Sequence, residues 1–222
     1  MRGTTGELAP SPAAVERVIR RLARTHAHRR FVEVNGEDPF RILIGCVLSL
    51  RTKDEVSYPA TERLFSRAAH PAAMRRLDAA SIARLVYPVG FYRRKSEQIR
   101  EICRILLERH RGLVPATMEE LLALPGVGRK TANLVTTLGF GRPGICVDTH
   151  VHRISNRLGW VRTGHPHATE DALRALLPRR HWISVNEILV RHGQKVCKPI
   201  SPVCSACPVN ADCRRVGVTR HR

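Results

Sequence analysis

Four cysteines within seventeen residues, Cys197, Cys204, Cys207 and Cys213, constrain this chain more than any other feature. Their pattern is C-x6-C-x2-C-x5-C. Four thiolates so close in sequence can converge on one metal centre, and a segment tied to a metal has few ways to fold. Structural zinc sites usually pair cysteines as two short C-x2–4-C knuckles. Here only Cys204 and Cys207 form such a pair, so the spacing modestly favours an iron–sulfur cluster. The other three cysteines, Cys46, Cys103 and Cys146, stand among apolar neighbours and read as small buried residues. The N-terminus shows no apolar signal core, which argues against secretion and for a cytosolic metal site rather than a disulfide framework.

The chain carries a formal net charge of +19 over 222 residues. Read alone, that charge would also suit a solubilising surface. Its size points to a polyanionic partner. A membrane partner is disfavoured on two grounds. No basic amphipathic helix stands out, and the longest apolar run, Ile42 to Leu50, is interrupted by Gly45 and Ser49 and is too short to span a bilayer. Nucleic acid is therefore the expected partner. Of the 38 basic residues only five are lysine: Lys53, Lys95, Lys130, Lys195 and Lys198. A chain that uses arginine wherever a positive charge suffices marks its lysines as places where an amine is needed.

Helical periodicity dominates and strand alternation is nearly absent. Val15, Val18, Ile19, Leu22 and Ala23 follow one helical face, with Ser11 and Pro12 as cap and first turn. Asp38-Pro39 opens a second helix through Val47. Further helical patterns lie at about 58–68, 79–86, 93–109, 118–123, 130–138, 149–157, 168–177 and 181–191. The expectation is an all-α fold with short connections. The first residues, up to about Pro10, read as a disordered basic tail.

One segment is specified more sharply. Thr117 and Glu120 form a capping box. Pro125-Gly-Val-Gly128 then makes a tight hairpin before a helix that ends at Gly139. Gly126 and Gly128 permit positive φ and keep side chains off the backbone. The amides that follow can bind a phosphate, and Arg129 and Lys130 add charge. Gly-Val-Gly alone would also suit an ordinary turn between helices. The full string Leu124-Pro-Gly-Val-Gly-Arg-Lys130 is more specific.

That string, extended to Val135 and followed by Val147-Asp-Thr-His-Val-His-Arg153, is similar to the helix-hairpin-helix DNA glycosylases of the endonuclease III type. The four-cysteine spacing matches that family's 4Fe–4S loop, and Asp38-Pro-Phe40 and Gly90-Phe-Tyr92 fit its landmarks. The resemblance spans residues 15 to 213. It implies two helical lobes. A six-helix, barrel-like lobe over 32–142 would carry the helix-hairpin-helix at about 118–138. The other lobe, 1–31 with 143–222, would hold the cluster on Cys197, Cys204, Cys207 and Cys213.

The resemblance also implies roles for individual residues. Lys130 would attack C1′ of a damaged nucleotide and open the abasic site by β-elimination through a Schiff base. Arginine cannot do this, because it does not give up its proton. The helix N-terminus and neighbouring Arg129 disfavour a second positive charge there, which favours the free amine. Asp148 would stabilise the oxocarbenium-like sugar, a carboxylate's task in glycosidic cleavage. It is equally suited to capping the helix that begins near Thr149. His150 and His152 read as packing or phosphate-contacting residues. Because the base lies inside the duplex, the nucleotide must be flipped out. Arg51 and Phe91 stand where the family places its gap-filling side chains, although glutamine is usual at the first and leucine common at the second. Gly126, Gly128, Arg129 and Lys198 complete the expected DNA contacts.

The implied protein is a monomeric base-excision repair enzyme. It is a DNA glycosylase and abasic-site lyase for oxidised pyrimidines in double-stranded DNA, cytoplasmic and associated with the nucleoid. Two alternatives stay open at this point. A mismatch-specific glycosylase of the same superfamily is one, although adenine-mismatch relatives lack the lysine and thymine-mismatch relatives carry tyrosine there. A non-catalytic, metal-containing DNA-binding module is the other. The hairpin and the charge suit it equally, but Lys130 and Asp148 together do not.

Overall fold

The computed structural model describes residues 10–26 and 36–222. Residues 1–9 of the expected tail, and the expected lobe boundary near residue 31, lie outside them. The chain divides into two compact units, Arg29–Gly144 and Met1–His28 with Ile145–Arg222. In chain order the helices are α1 (Pro12–Thr25), α2 (Pro39–Ser49), α3 (Asp54–Arg67), α4 (Pro71–Arg76), α5 (Ala79–Val86) and α6 (Tyr92–Arg109). They continue with α7 (Met118–Leu122), α8 (Arg129–Leu134), α9 (Thr149–Leu158), α10 (Pro166–Leu176) and α11 (Trp182–Lys195). No strand occurs among the described residues.

The unit Arg29–Gly144 is organised around α2. Phe40 and every residue from Ile42 to Leu48 are buried, so this helix is apolar on nearly all sides, as a central helix must be. Its start is fixed by Asp38, whose carboxylate accepts from Phe40 N (3.1 Å) and Arg41 N (3.3 Å). Helices α3, α6 and α8 pack against it. The helix expected over 130–138 begins at Arg129 and widens into a π-helical segment over Val135–Gly139. Thr136 and Thr137 return their hydroxyls to carbonyls one turn back, at Ala132 and Asn133. Such back-bonding competes with the ordinary ladder and distorts helices. The helix expected from residue 58 starts at Asp54 and carries Pro59 inside it.

The second unit buries the apolar stripe of α1, Val15, Val18, Ile19 and Leu22, in one core with residues of α9 and α11. Ser11 caps α1 by accepting from Ala14 N at 3.2 Å. On the outer side of α1, Glu16 Oε2 takes hydrogen bonds from His181 Nε2 (2.7 Å) and Arg180 Nη2 (2.8 Å). The next residue, Arg17, reaches Asp212 Oδ1 at 2.6 Å and so ties α1 to the end of the cysteine loop. The bonds from His181 and Arg180 hold the Glu16 carboxyl at about 2, against an ordinary value of 4.5.

Because the folded carboxyl binds its proton more weakly than the unfolded one, these pairs stabilise the fold above pH 4.5, and the contribution fades as the pH falls toward 2. Glu16→Gln is therefore expected to lower the urea midpoint at pH 6. The gap between wild type and variant should close progressively below pH 4.5. A gap that stays constant down to pH 3 would contradict this assignment.

Candidate nucleic-acid interface and metal centre

The hairpin between α7 and α8 is anchored from within. Leu124 and Val127 belong to the core of their unit. Gly126 adopts φ +75, which favours glycine, and a Cβ there would lie 2.8 Å from Gln98 Nε2 on α6, whose side chain would have to move. At Gly128, the N-cap of α8, nothing lies within 4 Å of where a Cβ would stand. Packing does not demand that glycine. Arg129 and Lys130 are exposed in the first turn of α8. Lys130 stands near enough to Cys46 on α2 for its charge to act on that thiol. Burial nevertheless dominates there and pushes Cys46 up to about 12.

Two neighbouring loops of the same unit carry Arg51 and Phe91. Both residues adopt left-handed backbone, with φ 53 and φ 58. Non-glycine residues pay roughly 1–3 kcal/mol for sparsely populated conformations and hold them only when surroundings over-determine them. Phe91 is 61% exposed, an unusual place for an aromatic ring, and the Arg51 guanidinium lies 5.8 Å from its centroid.

In the other unit Asp148 is the N-cap of α9. Its Oδ1 accepts from His150 N and Val151 N, both at 2.9 Å. The residue is half-buried. His150 Nδ1 meets Arg153 Nη2 at 3.1 Å, and His152 Nδ1 meets Thr169 Oγ1 at 2.7 Å. Both imidazoles thus serve polar packing within the unit.

The four clustered cysteines line one pocket, together with Ile154, Leu158 and His192. All seven cysteines of the chain are free thiols. Burial pushes the Cys207 and Cys213 thiols up, and the other cysteines of the set act in the same direction. Two arginines from one face of α9 hold the start of the loop. Arg153 Nη2 donates to Cys197 O at 2.8 Å. Arg157 donates to Lys198 O and Pro199 O, each at 2.7 Å, and approaches Cys197 Sγ at 3.4 Å. The Lys198 side chain is left exposed while its backbone is fixed. Among the described residues, no group of three or more His, Cys, Asp or Glu side chains is drawn close enough together to hold a metal ion.

Comparison with known proteins fits this arrangement. The model of the HhH-GPD superfamily base excision DNA repair proteins matches residues 44–179. Endonuclease III of Thermotoga maritima is 45% identical, covering 88% of each chain. Endonuclease III of Escherichia coli K12 is 36% identical, over 88% of this chain and 92% of its own. This chain belongs to the endonuclease III family of the HhH-GPD superfamily. A solved non-covalent endonuclease III–DNA complex superposes with a TM-score of 0.83 at 32% identity, covering 93% of this chain and 96% of its own. A trapped endonuclease III–DNA covalent intermediate gives a TM-score of 0.80 at the same identity, covering 93% and 97%.

In this endonuclease III relative, Arg51, Phe91, Gly126, Gly128, Arg129 and Lys130 share one unit, while Asp148, Lys198 and the four cysteines share the other. Sequence reasoning missed Arg153, Arg157, His192 and Lys95. The first two were detectable in principle, four residues apart on the helix that Asp148 opens. His192 is buried, with Nε2 3.7 Å from Cys207 Sγ and Nδ1 3.2 Å from His26 Nε2, a juxtaposition no local pattern encodes.

Gly126→Ala would force a left-handed alanine against Gln98. A loss of roughly 1–2 kcal/mol in urea unfolding is expected from the backbone alone. Adding Gln98→Ala should relieve only the steric part. A Gly126→Ala protein as stable as wild type would contradict the hairpin geometry.

Proposed function

We propose that this protein releases oxidised pyrimidine bases from duplex DNA and then cleaves the strand at the abasic site. One observation carries the reading. In a chain of the endonuclease III family that otherwise relies on arginine, a lysine stands exposed in the first turn of the helix after the glycine hairpin. One structural relative, a trapped covalent intermediate of endonuclease III with DNA, supports covalent chemistry of this kind.

In the proposed mechanism the Lys130 amine attacks C1′ of the damaged nucleotide. The N-glycosidic bond breaks, its electron pair leaves with the base, and the base takes up a proton. Positive charge develops on the sugar, where the Asp148 carboxylate stabilises it. The C1′–O4′ bond then opens, O4′ taking up a proton, and the protonated imine left at C1′ acidifies C2′. Loss of a C2′ proton drives out the 3′ phosphate, and hydrolysis then frees Lys130. Flipping the nucleotide leaves a gap in the stack. Arg51 and Phe91 fill it, one by reaching the orphaned base or a phosphate and the other by stacking. The backbone at Gly126 and Gly128, with Arg129 and Lys198, contacts the phosphates. The protein acts as a monomer on nucleoid DNA. No helix among the described residues is long and apolar enough to cross a membrane.

The cysteine loop is proposed to hold a 4Fe–4S cluster through Cys197, Cys204, Cys207 and Cys213. The residues present suit it. Four free thiols line one pocket, and a positive metal centre would reverse the upward push that burial and mutual repulsion exert on Cys207 and Cys213. One zinc ion needs its sulfurs to converge at about 2.3 Å from a single point, whereas cluster thiolates each bind a different iron and stand around its outside. When bound, the cluster would cross-link the loop that presents the Lys198 side chain.

On duplex DNA containing thymine glycol, Lys130→Ala and Lys130→Arg should each lose at least about 100-fold in base release and strand scission. Lys130→Arg should keep DNA affinity, because the charge is retained. Scission by Lys130→Arg at the wild-type rate would overturn the assignment. For the loop, elemental analysis should give about four irons per chain, and Cys204→Ala should lose the iron and lower the thermal midpoint. Zinc in place of iron would contradict the cluster.

A further inference from the structure

Lys95 lies in the first turn of α6 yet is only 4% exposed. A cation there faces the positive end of its own helix dipole, and a buried ammonium is costly unless its protons are bound. Three oxygens bind them. Lys95 Nζ donates to Leu48 O (2.9 Å), Leu50 O (2.5 Å) and Thr52 Oγ1 (3.3 Å). An ammonium has three N–H donors, so the set is complete. Leu48 and Leu50 stand at the carbonyl end of α2, where a positive charge is favoured.

Thr52 links this cage to the next loop. Its hydroxyl donates to Leu50 O (3.2 Å) and accepts from Gly90 N (3.1 Å) as well as from Lys95. One donor and two acceptor sites are thereby filled. Gly90 passes so close that a Cβ there would lie 2.8 Å from Arg51 O. The two left-handed residues, Arg51 and Phe91, flank this junction directly. Burial lowers the Lys95 ammonium to about 8, which leaves it protonated at neutral pH. A compact amine suits three converging oxygens, where a broad planar guanidinium would not.

We propose that Lys95 is a positioning residue for strand separation: through Thr52 it locks the loop of Arg51 to the loop of Phe91, so that both side chains enter the duplex as one wedge. The inference rests on the reading of Arg51 and Phe91 as gap-filling residues. A lysine that merely capped α2 would affect stability and leave wedge insertion unchanged.

The test uses the full-length protein and a duplex with an inert tetrahydrofuran abasic site opposite 2-aminopurine, whose fluorescence reports what enters the gap. Arg51→Ala and Phe91→Ala calibrate the signal; if neither changes it, the gap-filling reading itself fails. Provided they do, Lys95→Met, Thr52→Val and the double variant should all lose the fluorescence change, with the double no worse than either single. On thymine glycol DNA, kcat should fall about 10- to 100-fold while KM stays within about threefold. Lys95→Met that folds and keeps the wild-type signal overturns the proposal. If Lys95→Met does not fold, Thr52→Val decides: it leaves Lys95 both carbonyls and removes only the junction, so a retained signal overturns the proposal and a lost one supports it.

Discussion

The ends of a helix leave backbone groups in need of partners, and in the central helix α2 side chains supply them at both ends. Its first amides go to the Asp38 carboxylate and its last carbonyls to the Lys95 ammonium. Much of the Arg29–Gly144 unit follows from that requirement. The hairpin helix α8 packs on α2, which sets Lys130 near Cys46. The loop leaving α2 carries Arg51, and its backbone is held by the same ammonium that closes the helix. A device needed for folding thus also fixes the surface that would meet DNA.

The other unit shows a similar economy in α9. The residue that starts this helix, Asp148, is the proposed charge-stabilising carboxylate. Two residues further along, Arg153 and Arg157, fasten the first residues of the cysteine loop. Asp148 cannot be judged by capping or catalysis alone, since one carboxylate oxygen, Oδ1, serves both amides of the cap. Arg17, from the far end of the chain, pins Asp212 beside the last cysteine. Arg21 also reaches Asp212, at 3.4 Å, so the loop is held by four arginines as well as by whatever its thiols bind.

Much of this was legible in the sequence because it is local. Ser11, Asp38, Thr117 and Asp148 are caps whose side chains bond amides two or three residues away, and each stands where the pattern says it should. The opening of α2 at Asp38-Pro39 and the glycine hairpin were visible for the same reason. Where sequence reading failed, another part of the chain decides. The sequence reading started α3 at about residue 58, four residues after its observed start at Asp54. The six residues of α4 are too few to show a period. Lys95 stood out only as one of five lysines; its burial depends on carbonyls more than forty residues earlier. Family resemblance supplied the roles of Lys130 and Asp148, which no packing argument would have assigned.

The proposed mechanism centres on one event, the attack of the Lys130 amine on a sugar carbon. Borohydride reduction during turnover on thymine glycol DNA, followed by peptide mapping of the covalent adduct by mass spectrometry, tests that event directly. The account predicts one adduct, located on Lys130. An adduct on another lysine or on the terminal amine, or none at all, would contradict it.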